Sequence, residues 1–244
     1  MAKRLTRKKL KQKDEFITTT EKLVNLAVKH KSYFFVIGIT ILFFAVFSSI
    51  GFYYYRDYSK KGSLAYFQDL HLYEIALKTG DKSDITNAMN AFDSFRNNFK
   101  FISISKLALI YLGNCEYMMG NYDKAIESYN TFISEWGSEN DYIAAIAYNG
   151  IVQSYIAKKD YKSALGIIDK LLNYKDNSLK QLTYLHAIDC YMNMEQPDKA
   201  LELLENGVKK YSNNSMLKDQ LINFIAYVKA KKHGQIVNLK LDTF

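Results

Sequence analysis

The sequence predicts an all-α chain with a single N-terminal transmembrane helix, a solenoid of helical hairpins and a C-terminal capping helix. Three observations support this fold class. Residues 32–55 contain no charged side chain. The chain has one proline and 11 glycines and no long alternation of apolar and polar residues, which argues against strands. A pattern of small and apolar residues also recurs at intervals of 36 to 39 residues, which indicates stacked hairpins.

The apolar stretch 32–55 predicts the transmembrane helix. At about 1.5 Å per residue, roughly 20 residues of helix cross the hydrocarbon layer of a bilayer. Aromatic residues flank both ends, with Tyr33 on one side and Tyr55 on the other, as is typical of membrane interfaces. The stretch is longer than a signal-peptide core and lacks a small-residue cleavage pattern. We therefore expect a retained signal anchor.

The charges before this stretch predict its orientation. Residues 1–31 contain ten Lys and Arg against three acidic residues, a net charge of +7. Arg56, Lys60 and Lys61 are the basic residues that follow the stretch most closely. The positive-inside rule places residues 1–31 in the cytoplasm and the rest on the other side. Beside a membrane, this basic segment attracts anionic lipid at about 1 kcal/mol per Lys or Arg.

The charge outside this segment is small. Residues 1–31 hold +7 of the chain's net charge of +8, so the larger part is close to neutral and no nucleic-acid partner is expected. The two cysteines, Cys115 and Cys190, do not form a disulfide scaffold. We expect them to be separate and buried, because they occupy the same repeat position two repeats apart.

The clearest repeat is the segment LGNCEYMMGNYDKAIESY, which begins at Leu112. We expect Gly113 to let the second helix approach, Gly120 to form the turn and Ala125 to lie where the helices cross. The segment resembles the tetratricopeptide repeat (TPR), a hairpin of two helices about 34 residues long. The alanines at the crossing position are Ala88, Ala125, Ala164 and Ala200, separated by 37, 39 and 36 residues.

The remaining boundaries follow from these elements. Residues 215–232 have one apolar face and predict a helix that caps the solenoid. The predicted organisation is a basic segment at 1–31, the transmembrane helix at 32–55, the repeat domain at 56–233 and a tail at 234–244. Helix is expected to continue from Arg56 to Thr79, with Gly62 and Ser63 as a hinge.

No catalytic motif is found in the sequence. The four histidines are scattered, and there is no HExxH, GxSxG or glycine-rich phosphate loop. His186 and Cys190 are four residues apart on one predicted helix, a spacing that suits two metal ligands, but further ligands are missing nearby. We therefore expect no metal, no cofactor and no enzymatic activity.

The TPR resemblance implies a partner-binding groove lined by the first helix of each repeat. Carried over by register, Asn114, Gln153 and Asp189 occupy equivalent positions and form a polar stripe. The alternative is ordinary surface with some packing. The lysines of TPR domains that clamp a carboxylate are absent. The predicted groove residues are Ile110, Asn114, Tyr117, Met118, Asn149, Gln153, Ile156, Leu185, Asp189 and Met192.

The order of parts, together with the segment SKKGSLAYFQDL after the apolar stretch, resembles the YfgM-type ancillary subunits of the bacterial SecYEG translocon. This resemblance implies a bacterial inner-membrane protein whose periplasmic TPR domain binds translocon subunits, exported proteins or chaperones. Two alternatives remain at this level. The chain could be a structural scaffold for envelope assembly or cell division, or its basic segment could bind ribosomes or nucleic acid, with steep salt dependence.

Overall fold

The computed structural model describes residues 21–22, 24–26, 28–136, 142–174 and 179–234. No strand occurs within these ranges, and the all-α prediction is confirmed. The helices are α1 (Lys31–Thr79), α2 (Lys82–Asn98), α3 (Ile104–Met118), α4 (Tyr122–Trp136), α5 (Tyr142–Ala157), α6 (Tyr161–Leu172), α7 (Lys180–Asn193), α8 (Pro197–Lys210) and α9 (Ser215–Lys232). Two compact units are present, Met1–Lys60 and Lys61–Phe244. Most of the predicted basic segment and all of residues 235–244 lie outside the described residues.

The first unit contains the apolar part of α1. The most apolar 18-residue window of this helix has a mean hydropathy of 2.4, and none of that window is buried. The helix is therefore long and apolar enough to cross a membrane. Two of its hydroxyl groups bond within the helix, since Thr40 and Ser49 each donate to the carbonyl four residues earlier, at 2.8 Å. A polar group surrounded by lipid hydrocarbon needs a hydrogen-bond partner within the protein, and these bonds provide one.

The second unit is built of helical hairpins. Helices α3 and α4, α5 and α6, and α7 and α8 pack as pairs, and each pair contacts the next. Residues 61–79 of α1 form the first pair with α2, where the ring centroids of Tyr66 and Phe92 are 6.3 Å apart. The predicted hinge at Gly62 is instead continuous helix. A Cβ atom at Gly62 would collide with Ile102 and Phe99, so this glycine permits close packing.

The four alanines at the predicted crossing position confirm the repeat register. Ala88, Ala125, Ala164 and Ala200 are each 0% exposed, one in every hairpin. A methyl side chain leaves room for the facing helix, whereas a larger side chain would force the two helices apart. The predicted role of Gly113 is also confirmed, because a Cβ atom there would lie 2.6 Å from the Tyr129 ring.

The turns inside the hairpins share one backbone geometry. Gly120, Lys159 and Glu195 all have positive φ, at 79°, 61° and 58°. In each case the next residue donates its N–H to a carbonyl five residues earlier, at 2.8–2.9 Å. This is the six-to-one bond of a Schellman motif, which ends the first helix. Glycine adopts the left-handed conformation without strain, whereas Lys159 and Glu195 do not.

The capping helix is confirmed, and α9 has the predicted bounds. The side chain of Asn214 accepts a hydrogen bond from the N–H of Leu217 at 3.1 Å and caps the N-terminus. After the helix, Gly234 has φ of +72°, the left-handed conformation typical of a helix end. The apolar face of α9 packs on the preceding helices and consists of Leu217, Leu221, Phe224 and Val228, all buried.

Candidate functional site

The candidate site is the face formed by the first helices of the hairpins, α3, α5 and α7, which we call the first-helix face. Helix α3 contacts α5, and α5 contacts α7, so the predicted groove residues lie on adjacent helices. Helix α9 also contacts α7 and extends the same face by one helix. Two clefts, described next, lie between neighbouring helices of this set.

The α3/α5 cleft has a volume of about 280 Å³. Two of the predicted groove residues, Ile110 and Asn114, line it, and Ile110 is 7% exposed. Its lining is mostly apolar and consists of Leu107, Ile110, Tyr111, Asn114, Ile143 and Ile146.

Asn114 takes part in a hydrogen-bonded network inside the domain. Its Oδ1 accepts from the Tyr129 hydroxyl at 2.6 Å, and its Nδ2 donates to the Tyr73 hydroxyl at 3.0 Å. Burial raises the pKa of Tyr129, which keeps its hydroxyl protonated as a donor. The network joins α1, α3 and α4, because each of these helices supplies one of the three side chains.

Two further groove residues on α3 pack within the N-terminal hairpins. The Tyr117 ring lies 5.4 Å from the Tyr122 ring, centroid to centroid. Met118 packs on the buried cluster that includes Ala88 and Cys115. Both side chains are half-buried.

The middle of the first-helix face lies on α5. Asn149 is 9% exposed, and its Oδ1 has no hydrogen-bond partner among the described residues. Gln153 and Ile156 are half-buried, and Ile156 packs against the main hydrophobic core. This part of the face therefore presents a partly covered surface with one unsatisfied amide oxygen.

The α7/α9 cleft has a volume of about 200 Å³ and an apolar base. Asp189 is exposed at its edge and accepts a hydrogen bond from Asn193 at 2.9 Å. Lys231 lies at the α9 side of the cleft, where its Nζ is 3.4 Å from the Tyr227 hydroxyl. The lining residues are Leu182, Leu185, His186, Ile188, Asp189, Met192, Tyr227 and Lys231, which include three of the predicted groove residues.

His186 contributes a buried nitrogen to the wall of this cleft. Its Nε2 has no hydrogen-bond partner among the described residues, and burial lowers its pKa. Cys190, four residues later on α7, is buried, and burial raises its pKa to about 12. Over the described ranges, no group of three or more His, Cys, Asp or Glu side chains is placed to hold a metal ion. Cys115 and Cys190 are both free and buried, as predicted.

The sequence reasoning missed the α9 side of the α7/α9 cleft. It assigned the groove only to first helices of complete repeats, so Tyr227 and Lys231 were left out. The signal was present in the order of helices, because α9 follows α8 and occupies the place of a further first helix. Leu182 and His186 were also missed, although they lie on α7 with Leu185.

Comparison with known proteins identifies one matching family. Residues 107–137 match the model of the tetratricopeptide repeat family, a segment that contains most of α3 and all of α4. A search of curated proteins gave no match to the chain. The family match and the all-helical hairpins together support a TPR-type protein, and TPR domains are modules of protein–protein interaction.

Proposed function

We propose that this chain is a non-enzymatic, membrane-anchored adaptor that binds segments of other proteins on its first-helix face. The observation that carries the proposal is the α7/α9 cleft, which combines an apolar base with Asp189 and Lys231. An extended or helical protein segment can bury apolar side chains in such a cleft while the two charges fix its register.

The proposed location is the bacterial inner membrane, with the basic segment in the cytoplasm and the repeat domain in the periplasm. The length and hydropathy of α1 support a single membrane span. The net charge of +7 in residues 1–31 supports the orientation. Anionic lipid is the proposed contact of that segment.

The proposed partners are translocon subunits, newly exported proteins and their chaperones. The proposal rests on the order of basic segment, apolar helix and TPR-type domain, which resembles the YfgM-type ancillary subunits. Such an adaptor holds its partners by many weak contacts along the repeat face.

The test is purification of the tagged full-length chain from its own membranes in mild detergent, followed by mass spectrometry. We compare the chain with a Leu185→Asp/Asp189→Lys variant in the α7/α9 cleft. The control is Ile222→Asp/Glu205→Lys, which makes the same charge changes at exposed positions outside the cleft. Equal thermal unfolding of both variants ensures that binding alone is compared.

Recovery of translocon subunits and exported chaperones with the unchanged chain and the control, and their loss from the cleft variant, supports the proposal. Equal recovery with both variants contradicts binding at the cleft. Recovery of division or wall-assembly proteins together with self-association of the chain would instead support the alternative, a structural scaffold.

A further inference from the structure

The α7/α9 cleft has features that call for a polypeptide ligand. It combines an apolar base with charges of opposite sign at its two sides, Asp189 on α7 and Lys231 on α9. The buried His186 Nε2 in its wall has no hydrogen-bond partner among the described residues. A buried nitrogen of this kind normally bonds to a protein group or to water, and a peptide backbone offers both an N–H and a C=O.

The two helices that form the cleft run in the same direction. Near their beginnings, Tyr184 of α7 and Leu221 of α9 both approach Gly207. Towards their ends, Met192 of α7 and Lys231 of α9 line the cleft together. The end of α9, where the chain leaves the helix, therefore lies beside the same end of the cleft.

The chain leaves α9 in a conformation that favours a change of direction. Gly234 has φ of +72°, only three residues after Lys231. Left-handed residues at this position turn the chain away from the helix axis. Residues 235–244 follow directly, and ten extended residues reach at most about 33 Å. The part of α7 between Leu182 and Met192 spans about 15 Å at 1.5 Å per residue, so the segment is long enough to cover the whole cleft.

The sequence of that segment matches the cleft in pattern and charge. In QIVNLKLDTF, Val237, Leu239 and Leu241 alternate with Asn238, Lys240 and Asp242. Strict alternation places the apolar side chains on one face of an extended strand, which suits the apolar base. Lys240 has the charge opposite to that of Asp189 on α7.

We propose that residues 235–244 of this chain dock as an extended segment in the α7/α9 cleft. The segment runs back from Gly234 and places Leu239 and Leu241 on the base formed by Leu185 and Ile188. Docking goes beyond the proposed function and does not need it. Competition with a partner is a further consequence that rests on the proposed function. If a partner binds in the cleft, residues 235–244 must first leave it.

The experiment is hydrogen exchange of the purified full-length chain in detergent, compared with a chain that lacks residues 235–244. No partner is added, so the result is independent of the proposed function. Some backbone amides exchange only when the segment is released. If the segment is docked about nine-tenths of the time, the exchange of these amides becomes about tenfold slower. We expect this slowing at the cleft amides of α7 and the last two turns of α9, with α3 and α4 unchanged.

Substitutions within the segment provide matched controls. Leu239→Asp/Leu241→Asp should reproduce the deletion, whereas Ile236→Asp/Asn238→Asp adds the same charge on the opposite face of the strand and should keep the protection. Asp189→Lys should weaken the protection, and its combination with Lys240→Glu should restore it.

Two results overturn the proposal. Equal exchange with and without residues 235–244 means that the segment does not occupy the cleft. Protection that disappears on dilution means that the cleft holds the segment of a second copy. Protection that is independent of concentration and lost only with the apolar-face variant supports docking within one chain.

Discussion

The α1–α4 and α7–α9 regions have the same repeat register but use it differently. Asn114 and Asp189 are equivalent positions, yet Asn114 bonds to Tyr73 and Tyr129 within the domain. Asp189 is exposed at the edge of an apolar cleft. In the α1–α4 region, the side chain at this repeat position therefore joins three helices. In the α7–α9 region, the side chain at the same repeat position is accessible to a ligand. Equivalence in a repeat sequence therefore does not establish equivalence in function.

The aromatic content of the two regions explains part of the difference. In the α1–α4 region, the ring of Tyr111 stacks on Phe92 at 4.8 Å and meets Tyr66 at 6.1 Å. These rings fill the space between hairpins, and the hydroxyl groups of Tyr66 and Tyr111 need hydrogen-bond partners. Of the eight residues that line the α7/α9 cleft, four are Leu, Ile or Met and only Tyr227 has a phenol ring. The aliphatic side chains form an apolar base without hydrogen bonds, whereas the α1–α4 region fills the corresponding space with aromatic rings.

The largest expected effect comes from the glycines around Tyr129. Cβ atoms at Gly113 and Gly150 would both collide with the Tyr129 ring. Gly113→Ala should lower the free energy of unfolding by about 1–3 kcal/mol, the usual effect of overpacking. Thermal unfolding of the full-length chain in detergent, followed by circular dichroism, measures it.

Gly166→Ala is the control for that substitution. A Cβ atom at Gly166, in α6, meets nothing within 4 Å, so alanine should raise stability by up to about 1 kcal/mol. Similar losses from both substitutions would mean that Gly113 is not a packing position.

The next prediction compares the loss of stability at the Asn114 network with that at the equivalent position Asp189. Tyr129→Phe removes the hydroxyl that donates to Asn114 Oδ1 at 2.6 Å and should cost about 1 kcal/mol. Asp189→Asn at the exposed equivalent position should change stability by less than about 0.5 kcal/mol. Urea unfolding of both variants tests the comparison, and an equal cost would remove the distinction between the two regions.

A smaller effect is expected at the turns. A left-handed residue other than glycine costs about 1–2 kcal/mol, and glycine returns about 0.5–1 kcal/mol of this as unfolded-state entropy. Glu195→Gly, at φ of 58°, should therefore stabilise the α7/α8 turn by about 0.5–1 kcal/mol. Glu127→Gly, at an exposed position in the interior of α4, is the control and should destabilise by about 1 kcal/mol. A lower melting temperature for Glu195→Gly would contradict the assigned turn geometry.

The smallest effect is a pH dependence from His186. Burial lowers its pKa below the usual 6.5, so the unfolded chain binds this proton more readily than the folded chain. Stability should be full above pH 6.5 and fall as the pH drops towards the folded pKa. His186→Gln should reduce this loss, whereas His71→Gln, at an exposed position, should not. Thermal unfolding between pH 7.5 and pH 5.5, about one unit either side of 6.5, gives the comparison.

Most of the fold could be predicted from small residues at fixed spacing. Ala125 and its three equivalents are small because two helices cross at each of them. This requirement recurs once per repeat, so it is visible as a period in the sequence. The bounds of α9 followed in the same way from its apolar face. The hinge at Gly62 was wrong, because the partner of a glycine, here Phe99 and Ile102, lies on a separate segment that local sequence does not identify.

The candidate site was less accessible to sequence reasoning. Register placed Leu185, Asp189 and Met192 on one face of the solenoid, and all three line the α7/α9 cleft. Register could not distinguish Asn114, whose two tyrosine partners lie 15 and 41 residues away. Tyr227 and Lys231 line the cleft only because α9 packs against α7. This packing arises when the hairpins assemble and is not visible in the local sequence.

The most direct test of the central claim is site-specific photocrosslinking in the chain's own membranes. A crosslinking residue replaces Asp189 in the α7/α9 cleft, Gln153 in the middle of the first-helix face, or Glu205 on α8, which is exposed. We expect the highest yield of crosslinks to translocon subunits, exported proteins or their chaperones at Asp189, less at Gln153 and little at Glu205. Equal yields at Asp189 and Glu205 would contradict binding at the first-helix face.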